Sequence, residues 1–215
     1  MIAKPITDFG DRPVPVASVE ARSSASGTPD DRASGRQRDM KLSRGLYPQS
    51  VVVRQYSVRP ARPEDASAIC AIYNEGIEDR ATLETERRTV DERRSWLAAR
   101  DARHPVVVVE SDGVVIGWAS LNVFNARDVY RHVADISVYV TRASRGKGAG
   151  TVLLERLIEL GRQIGFHKLV LAGFPQNAAS VALYRRFGFR EVGIYREQGL
   201  LDGSWVDVLL MERLL

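Results

Sequence analysis

The 215-residue chain has one cysteine, Cys70, which excludes an internal disulfide and any paired-cysteine zinc or redox motif. Its three histidines, His104, His132 and His167, are spread too widely for a metal-ligand spacing. No apolar run approaches the ~20 residues that a bilayer-spanning helix needs. Acidic charge is slightly scarce, and the formal net charge of +4 invites a polyanion partner. The position of that charge argues otherwise. Residues 1–56 hold nine Lys/Arg and six Asp/Glu, so the remaining chain is nearly neutral.

The first 56 residues also lack hydrophobic periodicity. The stretch Ser18–Met40 is rich in Ser, Ala, Gly, Arg and Asp and cannot bury enough surface to offset its ordering entropy. It has no apolar core of a secretory signal, and its acids are unlike a transit peptide. We expect a disordered extension over 1–56, with Met40 as a candidate start, and a cytoplasmic domain over 57–215. A nucleic-acid-binding arm is the competing reading, but the arginines are interspersed with aspartates and no aromatics lie among them.

From Ser57 the texture is that of a globular α/β domain. A short extended piece leads to Pro60 and Pro63, then a helix to about Glu78 with Ile69, Ile72 and Tyr73 on one face. A second helix over about Val90–Arg100 is expected to bury Trp96 and Leu97. Pro105–Glu110 and Val114–Leu121 read as strands joined by the tight turn Ser111-Asp112-Gly113. Val133–Val140 is a further strand. Thr151–Ile164 is a helix striped with Leu153, Leu157, Leu160 and Ile164 and closed by Gly165. A strand over Lys168–Ala172, a helix from Asn177 to Phe187, and strands over Phe189–Tyr195 and Trp205–Met211 complete the chain. Hairpins mixed with strand–helix–strand crossovers predict an α/β sandwich on one mixed, mostly antiparallel sheet flanked by helices.

The most informative segment follows the strand ending at Val140. Gly146, Gly148 and Gly150 alternate in the loop, with Arg145 and Lys147 between and before them, and a helix begins at once. Glycines permit positive φ and close backbone approach, so N–H groups can converge on an anion at a helix N-terminus. A dinucleotide-binding reading requires GxGxxG and an acid ending the next strand, and both are absent. The GxxxxGK[ST] phosphate loop is absent as well.

Arg145-Gly146-Lys147-Gly148-Ala149-Gly150 instead resembles the acyl-coenzyme A loop of the GNAT superfamily of N-acetyltransferases. The stretch N-A-A-S-V-A-L-Y-R-R-F-G-F (177–189) resembles that superfamily's second signature. The likeness covers about Val58 to the C-terminus. Y-N-E-G-I at Tyr73, the segment 124–140 and L-D-G-S-W-V-D-V (201–208) are similar to the phosphinothricin and arsinothricin N-acetyltransferase subgroup.

The resemblance implies acetyl-CoA as co-substrate, no metal, a homodimer, and acetylation of the α-amino group of a small glutamate analogue by direct transfer in a ternary complex. Acceptors would be of the phosphinothricin, arsinothricin or methionine sulfone and sulfoximine type. Val138, Val140, Arg145, Gly146, Lys147, Gly148, Gly150, Thr151 and Asn177 would hold acetyl-CoA. Asp135 would be the base, directly or through water, and Tyr184 the acid for the departing thiolate. An Asp at its ordinary pKa of ~3.9 is a poor base, so burial or a relaying water is expected. Arg127, with Tyr130 and Asn125, would bind the acceptor's anionic groups, and Arg80 and Thr82 follow the first helix where an acceptor loop is expected. The bland readings are a polar strand start for Asp135, an aromatic on a half-buried helix for Tyr184 and an exposed loop residue for Arg127. Cys70 reads as packing, and Trp118 and Trp205 as core or dimer interface. A protein N-terminus or a polyamine is the alternative acceptor, although a loop with Arg127 and Arg131 is poorly suited to a polyamine. A non-catalytic acyl-CoA-binding module is the alternative from another class.

Overall fold

The computed structural model describes residues 56–215, so the expectations for the N-terminal extension lie outside the described residues apart from Tyr56. Seven strands form one sheet in the order β1-β2-β3-β4-β5-β7-β6. They are β1 (Ser57–Pro60), β2 (Val106–Ser111), β3 (Val114–Val123), β4 (Val133–Val140), β5 (Lys168–Gly173), β6 (Arg190–Leu201) and β7 (Ser204–Leu214). Only β4 and β5 run parallel. Among the described residues the α-helices are α1 (Ala66–Glu78), α2 (Val90–Ala98), α3 (Ala149–Ile164) and α4 (Ala178–Arg186).

Side-chain alternation along β2, β3 and β4 builds two cores. One face carries Val107, Val109, Ala119, Leu121, Ala134 and Ile136, which pack under Leu153, Leu154, Leu157 and Ile158 of α3. The opposite face carries Val106, Val108 and Trp118, covered by Ile69, Ile72, Tyr73 and Ile77 of α1. Trp118 is thus core, as expected, and stacks on Tyr139 with centroids 4.7 Å apart. Cys70 packs as expected too: it is buried, and its thiol donates to the Arg88 carbonyl oxygen at 3.1 Å.

The element boundaries differ from the sequence expectation in instructive ways. Helix α2 ends at Ala98, and its one buried residue is Arg93, whereas Trp96 and Leu97 are half-buried. The Arg93 guanidinium lies 3.7 Å from the Tyr73 ring centroid, so a cation–π contact carries the cation into the core. Helix α3 begins at Ala149, two residues before Thr151, because the left-handed Gly148 (φ 96°) is its N-cap. The terminal hairpin is longer than expected, with β6 reaching Leu201 and β7 reaching Leu214. Most of β6 is exposed, so no alternating burial pattern marks its length. Trp205 is 63% exposed and belongs to no core.

Candidate active site

The site begins where two parallel strands part. β4 and β5 pair only from Val133 with Lys168 to Asp135 with Val170. Beyond that point β4 runs on to Val140 without a neighbour on that side. The Thr141 N–H donates to the Ile116 carbonyl oxygen near β3 at 2.9 Å. By strand alternation, Val140 and Val138 turn their main-chain groups to the opposite, opened side. The Val140 carbonyl oxygen accepts from Arg145 Nε at 3.0 Å, in agreement. An unpaired strand edge offers amide donors and acceptors to an extended ligand.

The glycine loop closes the upper end of this opening. Gly146 and Gly148 have φ of 71° and 96°, which side-chain-bearing residues adopt only under strain. No side chain caps the start of α3 beside the opening, and the start of a helix is a position suited to an anion. Gly150 serves packing: a Cβ there would lie 3.2 Å from Leu183 of α4. The two cations of the loop each have a partner within the chain. Arg145 bonds Asp79 at 2.6 Å, and Lys147 Nζ donates to the Ala143 carbonyl oxygen at 2.6 Å. Arg142 also binds Asp79, through Nε at 2.8 Å, so the end of α1 ties down the loop. The Arg145 and Lys147 side chains are exposed and bond within the loop and to the end of α1. Thr151 lies in the first turn of α3. Asn177 caps α4, its side-chain oxygen accepting from the Ser180 N–H at 3.3 Å.

Asp135 stands on the last paired residue of β4, at the point of parting. It is opposite Asn122 on β3, with Ser137 opposite Ser120 and Tyr139 opposite Trp118, so all six side chains share one face. Asn122 Nδ2 donates to Asp135 Oδ2 at 3.4 Å and to Ser137 Oγ at 3.1 Å. Ser120 Oγ donates to Asn122 Oδ1 at 2.9 Å. Burial raises the Asp135 carboxyl from its ordinary value to about 7, and the Asn122 amide acts in the opposite direction. By solvent exposure the residue is half-buried. Tyr184 on α4 packs edge-on against Phe189. Burial first, and then the Asp135 charge, push its phenol well above the usual range, so it keeps its proton at neutral pH.

The acceptor side is less uniform. Thr82 accepts from the Tyr139 hydroxyl at 3.4 Å and therefore borders the same face. Arg80 does not: at φ 52° it turns away to form a two-point ion pair with Asp202 at the β6–β7 turn. Asn125 Oδ1 accepts from the Arg127 N–H at 3.0 Å, and Arg127 is exposed on the turn before β4. Tyr130 packs edge-on against Phe124 in the same segment. Asn122, Ser120, Ser137 and Arg93 were missed by the sequence reading. The signal for the first three was two polar residues at alternate positions in each of two apolar strands.

Among the described residues, no group of three His, Cys, Asp or Glu could hold a metal ion, and no helix is long and apolar enough to cross a membrane. A helix start with no side-chain cap, an opened strand edge, a half-buried carboxyl and a phenol thus lie along the same stretch of the sheet. Known proteins give the class its name. The model of the Acetyltransferase (GNAT) family matches residues 69–189. The chain is 37% identical over 158 residues to an L-methionine sulfoximine/L-methionine sulfone acetyltransferase of Salmonella typhimurium, covering 73% of this chain and 92% of that one. It is 34% identical over 165 residues to a phosphinothricin N-acetyltransferase of Streptomyces coelicolor, covering 74% and 96%. A solved acetyltransferase structure from Salmonella typhimurium with its cofactor acetyl-CoA superposes with a TM-score of 0.72 at 36% identity, covering 75% of this chain and 94% of that one. The chain belongs to the GNAT acetyltransferase family and is an N-acetyltransferase.

Proposed function

We propose that the protein transfers the acetyl group of acetyl-CoA to the α-amino group of a small amino acid with a polar or anionic head. The head is of the phosphinate, arsinate, sulfone or sulfoximine kind. The observation that carries this reading is Asp135 at the parting of β4 and β5, bonded by the Asn122 amide across the β3–β4 pair. The chain fits acetyl-CoA: a pyrophosphate suits the uncapped start of α3, and an amide-bearing arm suits the free edge at Val138 and Val140. When bound, acetyl-CoA supplies an electrophilic thioester carbon.

The chain's own residues do the rest. An ammonium cannot attack a thioester, so Asp135 accepts its proton, a task suited to a carboxyl with a pKa of about 7. The Val138 N–H, on the opened side, polarises the thioester carbonyl. Tyr184 holds a proton at its hydroxyl, ready for the leaving thiolate. Arg127, with Asn125 and Tyr130, receives the acceptor's anionic head.

A second copy of the chain covers β6 and β7. β6 is a twelve-residue edge strand, and Val192 (54% exposed), Leu200 (58%) and Trp205 leave apolar surface on the hairpin that a monomer would expose to water.

The test of the substrate class is release of coenzyme A thiol. Purified protein is incubated with acetyl-CoA and, separately, phosphinothricin, arsinothricin, methionine sulfone and methionine sulfoximine. Release with at least one is expected. Release with none of them, alongside acetylation of a peptide N-terminus or a polyamine, overturns the substrate class.

A further inference from the structure

We infer that Ser120 and Asn122 are positioning residues, a two-step relay that holds Asp135 in its proton-accepting form. The inference rests on the reading of Asp135 as the base and adds residues that act on it.

The argument starts from Ser120, which is fully buried on β3. A buried hydroxyl needs a partner, and this one donates to Asn122 Oδ1 at 2.9 Å. That bond anchors the Asn122 amide beside Asp135. With Oδ1 held by Ser120, Nδ2 points across to β4, where Asp135 and Ser137 share it. A flipped amide could still bond the Ser120 hydroxyl, which accepts as well as donates, but it would set one oxygen against another at the ionised Asp135. Asn122 is thereby restricted to offering N–H to the carboxyl.

An N–H donor favours the ionised carboxylate, whereas burial favours the acid. The two effects oppose each other at this residue, and burial is the larger. Without the donor, Asp135 would keep its proton further into the neutral range and fewer molecules would be competent. The surroundings supply no substitute. From α4 the facing group is the Tyr184 phenol, which is uncharged at neutral pH. From β3 and β4 the facing groups are the neutral Asn122, Ser120 and Ser137. No cation contributes to the titration of Asp135.

The test is the pH profile of kcat/KM for the best acceptor, measured on the full chain. Asn122→Leu is expected to move the acid limb up by about half to one pH unit, the size appropriate to one long hydrogen bond to a charged group. The loss is then about three- to tenfold on the acid side and vanishes toward roughly pH 9. Ser120→Ala shifts the limb in the same direction by less. Asn122→Asp, which places a second carboxyl against the first, shifts it further than Asn122→Leu. A merely structural role would lower the rate equally at every pH. An unmoved acid limb in Asn122→Leu, with activity abolished in Asp135→Asn, refutes the relay and leaves the base in place. An Asp135→Asn enzyme that keeps its activity and its acid limb removes the base, and the relay with it. If Asn122→Leu does not fold, Ser120→Ala applies the same criterion with a smaller change.

Discussion

Replacing Asp135 by Asn is expected to destroy activity and to stabilise the fold, and the second effect can be sized from the structure. In the unfolded chain the carboxyl ionises near 3.8, and in the fold at about 7. Between these values the folded protein binds a proton that the unfolded chain releases. The carboxyl therefore costs nothing below about pH 4, and its cost grows as pH rises until it is complete above the folded pKa. About three pH units at ~1.4 kcal/mol each give a ceiling of ~4 kcal/mol at pH 8. An Asn of the same shape carries no such cost and can still accept the N–H of Asn122. At about 2–4 °C per kcal/mol for a domain of this size, the Asp135→Asn variant should melt roughly 10 °C higher at pH 8 and at the same temperature near pH 4. Melting curves of both proteins across this range, with kcat/KM measured on the same samples, make the check. The expected loss of activity is about 10²- to 10⁴-fold, the usual contribution of a positioned base. A melting difference that does not change with pH would refute the buried-carboxylate argument, even if activity were lost.

Three further outcomes follow from the site and its surroundings. Tyr184→Phe keeps the packing against Phe189 and removes only the proton, so kcat should fall roughly 10- to 100-fold with both KM values little changed in steady-state kinetics. Gly148→Ala forces a side chain onto φ 96°, so it should cost about 1 kcal/mol or more of stability and raise KM for acetyl-CoA far more than KM for the acceptor. Trp205→Glu puts a charge on the exposed face of the terminal hairpin and should convert a dimer to a monomer in sedimentation velocity, and an unchanged sedimentation coefficient would rule out that interface.

The sequence made local features legible and left distant pairings hidden. The turn at Asp112-Gly113, with φ of 53° and 76°, and the left-handed Gly148 and Gly165 that bound α3 follow from the residue types alone. So does the long apolar stripe of α3. The fate of Arg145 could not be read, because its partner Asp79 is 66 residues away and comes beside it only when α1 lies across the sheet. Arg80 was hidden for the same reason, since its partner Asp202 lies 122 residues away. In α2 a half-buried Trp96 and a buried Arg93 reverse the usual order. The guanidinium finds the faces of Tyr73 and Trp96, and no hydropathy pattern encodes that choice.

The same reasoning explains why the proposed base was easier to find than its supports. Asp135 interrupts an apolar strand just before the glycine loop, so its oddity and its neighbourhood are visible together. Ser120 and Asn122 interrupt a different strand, and they matter only because the β3–β4 register sets Asn122 opposite Asp135. A shift of that register by one residue would turn Asn122 to the α3 face and leave Asp135 buried without a donor. The paired polar interruptions in β3 and β4 are thus one feature written in two places. The functional pKa of the site is a property of strand pairing as much as of the carboxyl itself.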